Sequence, residues 1–557
     1  MQPFSTDAGE REQAPGVDRS PLPQFVGWIL IAPAAVLFLL TYVWPTLSLL
    51  GESLFGSGGD QAWADPARAW QRVFSLSYLG RLGHALSYAL LPILVIATVA
   101  PALAWAASRA GVAWGRAVRV LLAVPLAAFA PAGLALLWIQ RHRPAGGSLA
   151  ALTEASTDWD GRLVLMATMG GFVLAVAVVC YLAAFRGRGS GQRTRSTVVV
   201  VGVLLSIVAL GFAVQQYTFP ALVDGAPGNR GSGPHGTPML RLGMGDFNAQ
   251  VAAEAVPVVA VLGVLGLAAA FVVLRTGLRL EFDPEGADDE RAPAGPRSVA
   301  VIGSAAGIVG LVLLIVFQLG PWLVEVASGA QWPQTDFPAT TVLLSTWLIP
   351  LGSALVQVVV AGAAAFGIAV VRPLGDRSEW LLLVVAPWLL VGDALLQLPR
   401  LTSDGAPALR TALAAAVPPG WVSIPALFVF TMLFRAQADR WLRLRSERHP
   451  NAFLRAMWPA GPMAVLAVGV AWLMQAQDLL LPTMTDGGHG MVAHAQLLMA
   501  RAATDPRAPV DPALGYPLVM LVLVTLGALV LQVAYLDRIA VRIGGGEIST
   551  SGERLPG

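Results

Sequence analysis

Apolar runs alternate with short polar stretches along most of this chain. A helix crossing the roughly 30 Å hydrocarbon layer of a bilayer needs about 20 mostly apolar residues, and about twelve runs reach that length. In the first part they are Phe25 to Leu50, His84 to Ala107, Ala117 to Ile139, Leu163 to Phe185, Thr197 to Gln215 and Val251 to Leu274. In the second they are Val299 to Glu325, Thr341 to Val371, Trp380 to Leu398, Pro418 to Phe434, Leu454 to Gln475 and Pro517 to Tyr535. The run from Trp380 contains Asp393 and the run from Pro418 is short, so both lie at the margin of the rule. The pattern predicts an all-α polytopic membrane protein with about twelve transmembrane helices.

Arginine sets the orientation, because cytoplasmic loops keep an excess of basic residues near helix ends. With the N-terminus inside, the inner loops hold Arg109, Arg116 and Arg119, then Arg186, Arg188, Arg193 and Arg195, then Arg275 and Arg279. Later inner loops hold Arg372 and Arg377, then Arg435, Arg440, Arg443, Arg445 and Arg448, and finally Arg538 and Arg542. Outer arginines such as Arg68, Arg141, Arg230 and Arg501 are diluted by acidic residues, proline and glycine. Both termini are therefore expected in the cytoplasm.

The charged stretch Arg275 to Arg297 divides the runs six and six and reads as a linker. Text on its two sides repeats: Gln215-Gln216-Tyr217-Thr218-Phe219-Pro220 matches Gln477-Asp478-Leu479-Leu480-Leu481-Pro482, with the prolines 482 − 220 = 262 residues apart. The same offset relates Val124-Pro125 to Ala386-Pro387, and Pro45 and Pro321 stand late in the two opening runs at a somewhat larger one. Six spans return a chain to its starting side, so the repeats run parallel. The expected organisation is a cytosolic tail at 1–23, a six-helix half at 24–280, a cytosolic linker at 281–298, a second half at 299–545 and a tail at 546–557. The residues before Gln24 lack the basic-then-apolar order of a cleavable signal peptide.

Composition strengthens the membrane reading. Of 557 residues, 56% are hydrophobic and 13% charged, against about 25% charged in water-soluble domains. The 36 basic residues are all arginines and, set against 34 acidic ones, leave a net charge of +2. They are scattered in short loop clusters and form no basic face, which argues against nucleic acid as a partner. A chain without lysine has no Walker phosphate loop, so any ATP hydrolysis belongs to a separate chain. Cys180 alone supports neither a disulfide framework nor a multi-cysteine metal site. His489 and His494 with Asp486 lack regular ligand spacing, so no metal or cofactor is expected. No nucleophile–base pair shares a membrane depth, and the chain reads as non-enzymatic.

Several motifs go further. The opening run holds Pro33-Ala34, then Tyr42-Val43-Trp44-Pro45 and Ser53-Leu54-Phe55. The third holds Val124-Pro125, Ala130-Pro131 and Leu137-Trp138, followed by Gly146-Gly147-Ser148-Leu149. Phe219-Pro220-Ala221-Leu222-Val223-Asp224-Gly225-Ala226-Pro227-Gly228-Asn229 precedes Asp246-Phe247-Asn248, and the second half has Ala456-Met457-Trp458-Pro459 and Asp478 to Pro482. Together these resemble the permease subunits of binding-protein-dependent carbohydrate ABC importers of the maltose and glycerol-phosphate type, with two subunits fused in one chain. The resemblance implies a type I importer fold in a bacterial plasma membrane, with a translocation pathway between the halves. It also implies an ABC ATPase dimer and an extracytoplasmic solute-binding protein as partners.

That family carries in each subunit a cytoplasmic coupling helix with a Glu-Ala-Ala signature, a following glycine and a Leu-Pro entering the next span. Here the loop Arg186 to Ser196 is too short and glycine-rich to hold such a helix. In the second half the signature position falls on Arg440, Trp441 and Leu442 and its glycine on Ser446, with Arg455, Trp458 and Pro459 following. Neither half keeps the signature, and at most one conventional ATPase contact is expected, at Arg435 to Arg455.

Sugar recognition needs amide and carboxylate groups beside aromatic faces. The repeat puts Gln215, Gln216 and Tyr217 at the depth of Gln475, Gln477 and Asp478, which makes these the substrate-pathway candidates. Asp393 joins them because a carboxylate inside a span is costly unless it functions. Each has a plainer reading: span-end glutamines satisfy interfacial backbone, Asp393 reaches water or a backbone donor, and Glu254 and Asp478 lie at the interface. Runs such as Ala361 to Ala365, and Gly303 with Gly307, read as helix-packing surfaces. Trp28, Trp44, Trp105, Trp138, Trp322 and Trp380 read as interfacial anchors.

Two other functions fit the same spans. One is a permease-derived scaffold or regulatory subunit without ATPase coupling. The other is a secondary transporter of the major facilitator kind, weakened by the absence of an aspartate between Arg109 and Arg116 and by the shortage of buried ionisable groups.

Overall fold

The computed structural model describes residues 22–55, 66–141, 161–186, 194–223, 237–244, 249–282, 297–329, 337–398, 420–486, 494–504 and 511–544. Most of the expected tails and linker, the loop after Arg186, His489, and the motif residues Gly146 to Leu149, Asp224 to Asn229 and Asp246 to Asn248 lie outside them. The described chain is almost entirely helical. It begins with α1 Gln24–Phe55 and α2 Leu76–Ala110, followed by a bent pair, α3 Val112–Ala127 and α4 Pro131–Arg141. Then come α5 Gly161–Arg186, α6 Arg195–Val223 and α7 Gln250–Thr276, and a short strand β1 Arg279–Phe282. After the linker stand α8 Ser298–Ser328 and α9 Ala339–Val371, the five-residue α10 Asp393–Gln397 and α11 Ile424–Ser446. The chain continues through α12 Ala452–Ala476, α13 Leu480–Asp486 and α14 Ala495–Thr504. It closes with α15 Leu518–Arg538 and β2 Ile539–Arg542.

Among the described residues nine helices are long and apolar enough to cross a membrane, or ten if the bent pair is one span. Three of the expected runs differ. The segment expected to cross from Trp380 to Leu398 is no continuous helix: it passes through a 3-10 stretch at Gly375–Leu381, one α-turn, a second 3-10 turn at Ala386–Trp388 and a break before α10. Pro387 has no N–H for a helical bond, and Gly392 takes extended backbone (φ −74, ψ 151) ahead of α10, so one hydrogen-bond ladder does not run through the segment. The run from Pro418 becomes α11, which starts at Ile424 and extends to Ser446, beyond its apolar part. The third run is divided at Ala128–Ala130, where α3 and α4 meet at 83°. Pro131 opens α4, and a proline disfavours helical backbone in the residue before it.

Proline also shapes spans that it does not break. Wide π-turns occupy Leu39–Val43, Ile315–Leu319 and Leu344–Leu348, each ending two residues before a proline, at Pro45, Pro321 and Pro350. The N–H of the residue before each proline bonds the carbonyl five back, Trp44 to Leu39, Gly320 to Ile315 and Ile349 to Leu344. Widening the turn moves the carbonyl that the ring would strike and lets the helix continue.

The packing crosses the linker. α1 lies on α9 and α8 lies on α2; α7 packs on the 386–388 turn and α15 on α3. β1 and β2 pair antiparallel, Arg279 opposite Arg542 and Phe282 opposite Ile539, with α5 against β2 and α11 against β1. Lipid tails are as apolar as leucine, so close approach and hydrogen bonds hold such helices together more than the hydrophobic effect does. Gly307 accordingly sits against the Leu103 side chain and Gly266 against the Ala386 carbonyl, where a Cβ would collide. α9 is the most enclosed span, 61% of its apolar window buried, against 17% for α8, α12 and α15. The outer spans turn Phe25, Leu39, Phe317, Val324, Val519 and Leu526 outward, as a lipid-facing surface requires.

Candidate functional site

Polar side chains gather where α1, the end of α6, α10 and the turn before α13 meet. Tyr42, buried within the π-turn of α1, donates its hydroxyl to the Val422 carbonyl at 2.8 Å. Beside it stands Asp393, the first residue of α10: a Cβ on Gly420 would be 3.0 Å from both Asp393 Oδ1 and Tyr42 Oη. The charged neighbour of Asp393 is a like charge, Asp478. Asp478 caps α13, accepting from the N–H of Leu480 at 3.1 Å and of Leu481 at 3.3 Å. Tyr217 is buried, shares a hydrogen bond with the Thr483 side chain and faces Asp478.

Gln215 is also here, but its amide is fully engaged by backbone. Nε2 donates to Gly211 O at 3.0 Å and Leu390 O at 2.7 Å, and Oε1 accepts from Gly392 N–H at 2.6 Å. Those contacts staple the break that precedes α10 to the end of α6. Gln216 is half-buried, and its carbonyl accepts from Thr237 Oγ1 at 3.2 Å. Gln475 belongs to an adjoining chain of polar groups: its Nε2 donates to Gln357 Oε1 at 3.2 Å, and Gln357 Nε2 to Ser353 Oγ at 3.1 Å. The Gln357 carbonyl accepts from Ser423 N–H at 3.3 Å, next to the residue that Tyr42 holds. Gln477 points elsewhere, donating to the Gly515 carbonyl at 3.2 Å.

Thus Gln215, Tyr217, Asp393 and Asp478 come together, Gln475 adjoins them, and Gln477 lies in a separate cluster. Tyr42, Gln357, Ser353 and Thr483 are not among the pathway candidates that the sequence suggests. Tyr42 carried a signal, three residues before Pro45, but nothing in one sequence marks which distant carbonyl its hydroxyl meets.

At the other end, arginines and carboxylates bind the strand pair to the helices. Asp537 receives Arg119 and Arg186 at 3.3 Å and Arg116 at 3.5 Å. Arg542 pairs with Glu281 at 2.9 Å, Arg279 with Asp439 at 2.5 Å and Arg435 with Glu379 at 2.6 Å. The candidates for ATPase coupling divide here. Arg440 Nη1 donates to the Phe282 carbonyl at 3.5 Å, and the Pro459 carbonyl accepts from Tyr535 Oη at 2.7 Å, so both turn inward. Ser446, Arg455 and Trp458 lie on the surface; Arg455 meets His449 at 3.3 Å, and Trp458 is 71% exposed beside exposed Leu454.

Compared with models of known families, with curated proteins and with solved structures, the chain matches none.

Proposed function

We propose that this chain is the membrane-spanning component of an importer for a carbohydrate or similar polar solute, with 24–280 and 299–545 as two halves that enclose the route. Both ends face the cytoplasm in this reading. An ABC ATPase dimer supplies the energy and an extracytoplasmic binding protein delivers the solute.

The observation that carries it is reciprocal packing of elements, two pairs of which recur at the spacing of the repeated text. α4 and α10 start 393 − 131 = 262 residues apart, and α7 and α15 end 538 − 276 = 262 apart. What α1 does to α9, α8 does to α2; what α7 does to the 386–388 turn, α15 does to α3; α5 takes β2 as α11 takes β1. Tyr42 and Gln318, each three residues before a proline, both reach across. Tyr42 bonds Val422 at the head of α11, and Gln318 Nε2 donates to the carbonyls of Met166 and Ala167 in α5, at 3.1 and 2.7 Å. Such exchange supports a two-fold pair, whose axis is the natural place for a shared pathway.

Co-expression with any ABC ATPase and solute-binding protein found encoded beside this chain, purification, and uptake by proteoliposomes test the reading. ATP-dependent uptake supports it. Failure of any ATPase to co-purify favours the second reading, a permease-derived scaffold, to which the inward turn of Arg440 and Pro459 lends weight.

A further inference from the structure

A different polar cluster lies around the start of α14. The N–H of Ala495 donates to Thr346 Oγ1 at 3.1 Å, tying α14 to the π-turn of α9. That bond brings its neighbours together, Trp347 from one side and His494 and Gln496 from the other. Gln496 has no exposed surface, and neither its amide oxygen nor its nitrogen has a partner. His494 Nδ1 and Trp347 Nε1 are buried and unpartnered too. The Gly515–Tyr516 corner joins these groups. A Cβ on Gly515 would stand 2.9 Å from Gln496 Nε2, and the Tyr516 ring meets Trp347 edge-on at 5.1 Å. Gln477 Nε2 closes the corner on the Gly515 carbonyl.

Buried polar groups without partners are rare because each one left bare destabilises the fold. Four such atoms on neighbouring buried residues need partners, which a bound molecule with several hydrogen-bonding groups can supply. The set offers donors and acceptors together: the amide gives one of each and the indole N–H donates. The imidazole, which burial pushes down to about 3 and so keeps neutral, does either by tautomer. Trp347 stacks edge-on with Trp472 at 5.5 Å, and Trp322 with Tyr516 at 5.4 Å, so aromatic rings border the amides. None of these groups carries charge, and an ion entering here would be uncompensated. Mixed hydrogen bonding beside aromatic rings is the complement of a small neutral molecule with several hydroxyls.

We propose that Gln496, His494 and Trp347 form an enclosed internal site for a neutral polyhydroxylated solute of monosaccharide or short polyol size. This deepens the importer reading by saying where in the chain the solute rests. Its test needs neither ATPase nor binding protein, so its failure is separate from failure of uptake.

The purified full chain in detergent micelles is screened by thermal unfolding against neutral pentoses, hexoses and short polyols, with gluconate and glucosamine as charged counterparts. At least one neutral member should raise Tm by about 2–4 °C at saturation, and Gln496→Leu should abolish the rise. Leucine is close in size and removes two unpaired polar atoms, so ligand-free Gln496→Leu should unfold no lower than the parent. Trp347→Phe keeps a ring but loses the N–H and should weaken binding about 5–10-fold. The proposal is overturned if no neutral member raises Tm, if the rise persists in Gln496→Leu, or if the charged counterparts raise Tm equally. It also falls if ligand-free Gln496→Leu unfolds below the parent, since the amide would then be bonded within the fold.

Discussion

Asp393 and Gln215 come from the same reading of the sequence, and their surroundings give them opposite roles. Gln215 makes three bonds to backbone, at Gly211, Leu390 and Gly392. Gln215→Ala leaves a donor and an acceptor bare in an apolar setting and should cost about 1–3 kcal/mol. The check is a lower Tm in micelles, and an unchanged Tm would show that the staple is dispensable. Asp393 instead sits beside the like-charged Asp478. Neutralising one of two neighbouring carboxylates removes repulsion and a desolvation cost, so Asp393→Asn should raise Tm. If the carboxylate contacts solute, the same variant loses uptake; stability gained with uptake intact would remove Asp393 from the pathway. Residue type alone suggested that these positions matter. Which backbone groups or charges they meet depends on segments 175 to 177 residues away for Gln215, beyond what spacing along a chain can indicate.

For the elements, proline was the most informative letter, though its effect depends on context. Three spans absorb Pro45, Pro321 and Pro350 with a π-turn and continue, whereas Pro131 and Pro387 stand at breaks. Apolar length locates a span but cannot say whether a proline widens a turn or ends the ladder, because neighbouring helices decide which freed backbone groups find partners. The 386–388 turn shows this. Its Ala386 carbonyl lies where a Cβ on Gly266 would collide, while a Cβ on Gly263 would be 3.6 Å from the Pro387 carbonyl, an ordinary contact. Gly266→Ala should therefore lower stability by about 1–3 kcal/mol, with Gly263→Ala near neutral. Thermal unfolding of the two variants side by side is the measurement, and equal effects would show that the close approach of α7 to this turn is unimportant.

For the whole molecule, β1 and β2, which start 539 − 279 = 260 residues apart, meet in a ribbon that the apolar pattern gave no hint of, because four-residue strands carry too few letters to stand out. Asp537, 14% exposed, is the shared partner of Arg116, Arg119 and Arg186, and the Arg119 side chain is 3% exposed. Removing the carboxylate leaves a buried guanidinium without its counter-charge, so Asp537→Asn should cost about 3–5 kcal/mol. Asp537→Glu should recover part of that loss. A Tm for Asp537→Asn equal to the parent would mean that this cluster does not fasten the ribbon to the helices around it.

By itself the sequence determined that the chain belongs in lipid and where most of its spans lie, since both follow from the length of apolar runs, a local property that the bilayer thickness turns into geometry. Tertiary structure alone decided that α1 crosses to α9 and α8 to α2, that the Trp380 to Leu398 segment breaks, and that Gln496, His494 and Trp347 share one buried cluster. These depend on pairings between residues far apart in the chain, fixed by shape and by the need of each buried polar group for a partner.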